Sequence, residues 1–471
     1  MPHPSPRAAL YGLASLVAVA IACDLLWMPV QVGDSLGEIL DAQRSPSVWA
    51  SFAGSFGTEA YLRPLRIAQI KALFDAAQER HYWLVYRGFH ALLLAAAVLL
   101  FARALRVATF VDFSAAACSL VVLTGLQTFR GTIQEAFPIN HFLEILVFCL
   151  ITLNLAQSRG GIWIDAAAAL IFALAVLTLE SGLLVWVVAA AAWAAGWRGI
   201  SARGLALMTA CLLGYLYLRF GYLSSGVPAL AERSSGYLLS TLDPPELQRR
   251  FGAQPLVFYG YNVAASAMSV LFSEPQAGVF VAVRAWLDDQ VIPRVALPVA
   301  TSLVTTAMIL WAGARRAMRR HPFDDTARAI VVFAAVLAAN AVLSFAYTKD
   351  DIMSTAGAFY ALAAFGAARD GLLAVAGARR RAAVAVALLL VLLATGWSVR
   401  SAGVHYLLRS QAIKHQVDWA ELPGRWRRSG QWPGDEAQQR LILRLRQDAL
   451  SVELPNTRVE SPGWPARFWT V

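Results

Sequence analysis

The sequence predicts an all-α polytopic membrane protein with about eleven transmembrane helices and a helical first external loop. Three observations carry this. Hydrophobic residues fill 58% of the 471 positions, and the mean hydropathy is +0.54, too apolar for a soluble enzyme. Runs such as AALYGLASLVAVAIACDLLWMPV (8–30) and ALLLAAAVLLFARAL (91–105) recur along the chain. A bilayer core of about 30 Å is crossed by about 20 apolar residues in a helix. Backbone groups in lipid must also be satisfied internally, which makes these runs helices rather than strands.

In order, the expected spans are 8–30, 84–104, 113–128, 138–156, 162–179, 182–198, 204–222, 295–313, 328–346, 355–374 and 382–398. The third is the shortest. Arg7 and the AIAC ending at Cys23 have the look of a leader, but the apolar run continues to Val30, so the first span is read as uncleaved. Arginine placement sets the parity. ARALR (102–106), QSRGG (157–161), WRGISARG (197–204), ARRAMRRH (314–321) and ARRRA (378–382) belong inside, with an inside N-terminus. Segment 256–273 is ambiguous. If it crossed, ARRAMRRH and ARRRA would both lie outside, so it is read as re-entrant or surface-lying. A crossing at 277–294 would restore the same parity.

This divides the chain into a transmembrane domain (1–398) and a short external tail (399–471). External material comprises the first loop (31–82), an excursion (223–294), the turn at 347–354 and the tail, which carries an amphipathic helix near 435–450. The net charge of +10 is almost all arginine, the lysines being Lys71, Lys349 and Lys414. The basic residues cluster in short connections, which fits inside-facing loops and not nucleic-acid binding. The four cysteines fall in expected spans and show neither a disulfide framework nor metal spacing. The alanine- and arginine-rich composition suggests a bacterial inner membrane.

The first loop holds most of the candidate chemistry. If 34–44 is helical, Asp34, Glu38 and Asp41 share a face. A carboxylate partly desolvated at the membrane surface gains basicity and suits general-base work; the alternative is a solvated face. Pro64 places Arg63 at a helix start, where Arg63 and Arg66 can hold an anion or else snorkel to headgroups. His90 lies early in the second span, and a lone histidine there reads as structural. Glu135 and Glu144 flank the start of the fourth span. Glu180 interrupts LIFALAVLTLESGLLVWVV, where a buried acid costs about 2–3 kcal/mol unless the hairpin keeps it wet. Tyr347, Lys349 and Asp350 form an outer turn in which Lys349 can hold a phosphate and Asp350 orient it.

Asp34, Arg63-Pro64-Leu65 and His90, in this order and rough spacing, resemble the GT-C superfamily of integral membrane glycosyltransferases, in its protein mannosyltransferase-like and bacterial branches. Thr178-Leu179-Glu180-Ser181-Gly182 is similar to a Lys-Glu-x-Gly step in that group, with Leu179 replacing the lysine. The resemblance covers residues 30–185. It implies sugar transfer on the outer face from a polyprenyl-phosphate carrier to a lipid, glycan or protein acceptor. Asp34 would act as base with inversion, Arg63, Arg66 or Lys349 would face the phosphate, and Glu180 and Glu135 would line the acceptor side. Ser35 stands where a second loop acid is common in the group, so a divalent metal cofactor stays open. A lipid or polymer flippase and a non-catalytic envelope subunit are the alternatives.

Overall fold

The computed structural model describes residues 5–32, 34–57, 61–77, 82–134, 140–224, 234–236, 239–272, 285–290, 293–319, 324–376, 380–429 and 435–452. Its helices are α1 (Pro6–Leu25), α2 (Asp34–Arg44), α3 (Val48–Gly54), α4 (Pro64–Ala76), α5 (Tyr82–Ala104), α6 (Phe110–Gly125), α7 (Gln127–Gln134), α8 (His141–Ala156) and α9 (Ile162–Thr178). They continue as α10 (Leu183–Ala194), α11 (Ala202–Leu216), α12 (Pro244–Phe251), α13 (Leu256–Phe272), α14 (Pro293–Arg319), α15 (Asp325–Leu343), α16 (Ser354–Ala376), α17 (Arg380–Ser429) and α18 (Glu436–Ser451). A small antiparallel ribbon joins β1 (Ser234–Gly236) to β2 (Leu239–Leu242), with Ser234 opposite Leu242.

Local chemistry sets many of the helix starts. Ser5 caps α1 with Pro6 in its first turn, Asn140 caps α8, and Thr109 and Asp112 form a reciprocal capping box on α6. Among the described residues, seven helices are long and apolar enough to cross a membrane, or up to nine spans if two bent pairs each count once. Each of the eleven expected ranges carries helix, but α8, α9 and α10 have only 16, 17 and 12 residues. At 1.5 Å per residue they reach roughly 18–26 Å, short of a core of about 30 Å. Length and composition thus support seven to nine spans among the described residues.

The two bent pairs have different origins. α6 and α7 meet at 63°. Gly125 ends α6 against α17, where an added Cβ would lie 2.9 Å from Trp397. The ambiguous 256–273 segment is helix α13, reached from α12 through a bend of 102°. Most of the alternative 277–294 crossing lies outside the described residues.

Most buried apolar residues form one core through the helical bundle. Leu16, Leu92, Leu213, Leu310 and Leu392 point outward and are well exposed, as lipid-facing side chains are. A second core lies at one end. There Leu36, Ile39, Ile70, Phe74 and Tyr86 from the first-loop region pack with Trp419, Leu441, Ile442 and Leu445. Trp419 Nε1 donates to the Val30 carbonyl at 2.7 Å, and Gln43 Nε2 donates to the Ala437 carbonyl at 3.2 Å. Helix α17 runs unbroken through position 398 for 50 residues, about 75 Å at 1.5 Å per residue, and so carries α18 to the first loop.

Candidate functional site

α4 is the element that gathers the site. Arg63 occupies its N-cap with φ −132° and ψ 50°, and Pro64 supplies the first helical turn. Proline has its φ preset there and loses no hydrogen bond, while it keeps the preceding residue out of the α region. Arg66 and Gln69 follow at three-residue steps, so all three side chains share one face. Each takes a different carboxylate.

Arg63 forks onto Glu180, with Nη2 to Oε2 at 2.7 Å and Nε to Oε2 at 3.0 Å. Its guanidinium also lies 4.0 Å from the Tyr61 ring centroid. Arg66 pairs with Glu38 of α2. Gln69 Nε2 donates to Glu144 Oε1 at 2.6 Å, and Glu144 Oε2 lies 3.1 Å from His141 Nδ1. Arg219 approaches the other Glu180 oxygen at 3.2 Å and donates to the Tyr215 hydroxyl at 2.9 Å. Burial pulls the Arg66 guanidinium below its ordinary value, and the Glu38 carboxylate opposes that pull. The Arg63 and Glu180 side chains keep 22% and 25% exposure, so the group is partly open.

Glu180 is held by a tight turn. α9 ends at Thr178, Leu179 is extended, and a single 3₁₀ turn spans Glu180–Gly182. A Cβ on Gly182 would sit 2.3 Å from the Ala175 carbonyl, so glycine alone fits against α9. Gly182→Ala is expected to cost roughly 3 kcal/mol by forcing this turn outward. A lowered midpoint in a detergent unfolding titration, with the Gly57→Ala control unchanged, is the check; Gly57 has open space around it.

A second polar group lies at the same end of the bundle. Tyr347 and Lys349 form a cation–π contact at 5.2 Å, with Arg130 of α7 buried within electrostatic reach of Asp350. Asn340 braces the turn, donating to the Ile352 carbonyl at 3.0 Å and accepting from the Ala356 amide at 3.2 Å. Gly131 of α7 packs directly on Asp351. His90 belongs to the wall between α5 and α7. It is fully buried, with Nε2 donating to the Thr132 carbonyl at 3.1 Å and Nδ1 accepting from Arg87 at 3.2 Å. Both ring nitrogens are thereby occupied, a tethering arrangement.

The expected site residues thus divide. Arg63, Arg66 and Glu180 converge through α4, while Tyr347, Lys349 and Asp350 sit on a separate turn. Asp34 opens α2, but its side chain lies outside the described residues, as does Glu135. The arginines expected to hold an anion already hold carboxylates. Sequence reasoning missed Arg219, Tyr215, Gln69 and His141. Arg219 had a usable signal, because a lone cation in the apolar stretch YLYLRFGY needs a partner. Among the described residues, no group of three or more His, Cys, Asp or Glu side chains is gathered as a metal site. No family model, curated protein or solved structure matches the chain.

Proposed function

We propose that the protein is a membrane glycosyltransferase that moves a sugar from a polyprenyl-phosphate carrier to an acceptor hydroxyl at the membrane surface. The convergence of Arg63, Arg66, Glu38, Glu180 and Arg219 at one partly open end of an apolar bundle supports this reading best. In it, the chain crosses a bacterial inner membrane eleven times from an inside N-terminus, and the α4 end faces out. The acceptor oxygen attacks the anomeric carbon as the sugar–phosphate bond breaks. Asp34 takes the hydroxyl proton, and the lipid phosphate departs with the bonding electrons. A guanidinium fork binds phosphate as it binds carboxylate, so Arg63 exchanges Glu180 for the arriving phosphate. Glu180, still held by Arg219, acts as the counter-charge that keeps the empty site intact. Lys349 adds positive charge from the neighbouring turn. A metal, if used, would supply further charge neutralisation.

The test uses purified protein in proteoliposomes loaded with polyprenyl-phosphate sugars. Wild type is expected to transfer sugar, and Asp34→Asn to lose about a hundredfold in rate, the scale of a missing general base, at unchanged melting temperature. Lipid flipping without any transfer, unaffected by Asp34→Asn, would establish the flippase alternative instead.

A further inference from the structure

One short helix of the first loop is built inside out. α3 opens at Ser47, whose side chain accepts the Ala50 amide at 3.1 Å. It packs along α4, and the side it buries is serine. Ser51 and Ser55 are 7% and 2% exposed. Their hydroxyls are satisfied within the segment, Ser51 Oγ donating to Ser45 Oγ at 2.7 Å and Ser55 Oγ to the Ser51 carbonyl at 3.1 Å. The side left outside is carbon. Trp49 is 73% exposed, and Val48, Ala53 and Gly54 are exposed with it. No charged residue occurs from Ser45 to Gly57.

The helices around it have the opposite polarity. α2 buries Leu36 and Ile39 and turns Asp41 and Arg44 outward. α18 buries Leu441, Ile442 and Leu445 and exposes Glu436 and Arg440. Both hide carbon from water in the ordinary way. A helix in the same assembly that hides hydroxyls and presents a tryptophan is fitted to apolar surroundings instead. The aromatic rings tie it to the bundle. Trp49 stacks on Phe52 with centroids 5.5 Å apart, and Phe52 meets Phe56 edge-on at 5.5 Å. Phe56 in turn packs against the main core. A row of rings therefore runs from the bundle core to the outer face of α3.

We infer that α3 is embedded in the lipid bilayer, with Val48, Trp49 and Ala53 against acyl chains just below the headgroups. Lipid fits this face better than a second protein, because Phe56 joins it to a bundle whose outward residues, Leu16 and Leu92 among them, are themselves lipid-facing. Tryptophan suits that depth, where its ring is in hydrocarbon and its N–H reaches water. Since α4 packs along α3, the anchor also fixes Arg63 and Arg66 near the headgroup level. The inference does not depend on the proposed transfer.

The test is photolabelling of the full chain, one copy per nanodisc, in phosphatidylcholine that carries a diazirine in its acyl chain. Adducts are mapped by mass spectrometry. Residues 48–53 are expected to be labelled, as is the segment of α1 around the exposed Leu16, while α18 around the exposed Leu443 is not. Ala53→Glu puts a charge on the outward face without touching the tryptophan. It should reduce the adducts on Trp49 several-fold and leave those near Leu16 unchanged, because a carboxylate is driven out of hydrocarbon. A face that awaits a second protein is wet in such discs and stays unlabelled. Adducts near Leu16 with none on 48–53, labelling of 48–53 no greater than that around Leu443, or labelling that Ala53→Glu leaves unchanged overturns the inference.

Discussion

A double-mutant cycle between Arg63 and Glu180 is expected to return a coupling of about 2–3 kcal/mol, near the upper end for paired side chains. Arg63→Ala alone should cost about 3 kcal/mol, because it leaves a three-quarters-buried carboxylate with a single guanidinium partner. Glu180→Ala should cost less than the sum of its contacts suggests, since Arg63 retains the Tyr61 ring and can turn toward water. The double variant should then recover part of the loss. The measurement is the unfolding free energy in mixed micelles for all four proteins. A coupling below about 0.5 kcal/mol would mean that the pair behaves as a solvent-screened surface contact. It would also remove the basis for treating Glu180 as a stand-in for phosphate.

The second large effect belongs to α18. Leu441→Asp is expected to cost about 4 kcal/mol or more, summing lost apolar burial and a carboxylate forced into the core. Leu441 is 3% exposed and packs with Ile39, Phe74 and Trp419. Leu443, two residues on, is 50% exposed, so Leu443→Asp should change stability by less than about 0.5 kcal/mol. Hydrogen exchange in α2 and α4 is the readout. If Leu441→Asp speeds exchange only within α18, the tail helix is a passive appendage. Faster exchange across α2 and α4 means that it holds the loop in shape.

The bundle helices were legible because lipid leaves an apolar chain no other way to satisfy its backbone. The start of α4 was legible because proline acts on its immediate neighbours. The helix near 435–450 appeared at 436–451 because Leu441, Ile442, Leu445 and Ala449 recur at helical spacing. Partnerships across space were not legible. Arg63 and Glu180 are 117 positions apart, and no local pattern states that they meet. Arg63 therefore looked like a vacant anion site. Helix lengths were not legible for a related reason, since α8, α9 and α10 are capped and turned by Asn140, Gly182 and their neighbours inside longer apolar runs. The tail boundary at 398 followed a change in composition, but a helix does not end where its residues become polar. α17 even continues through Pro423.

The length of α17 has a consequence for how the protein is made. Gln43 hydrogen-bonds a carbonyl 394 positions later in the chain. Residues of the first loop leave the ribosome long before the helix that completes their core, which follows 394 positions later at the Gln43–Ala437 contact. The nascent loop must therefore stay soluble and unassembled through synthesis of nearly the whole bundle, with its apolar face uncovered. Such long-range closure is slow. Any chaperone that assists this protein has its natural substrate in that waiting loop, and a truncation within α18 would strand it even though α1 to α17 had been made.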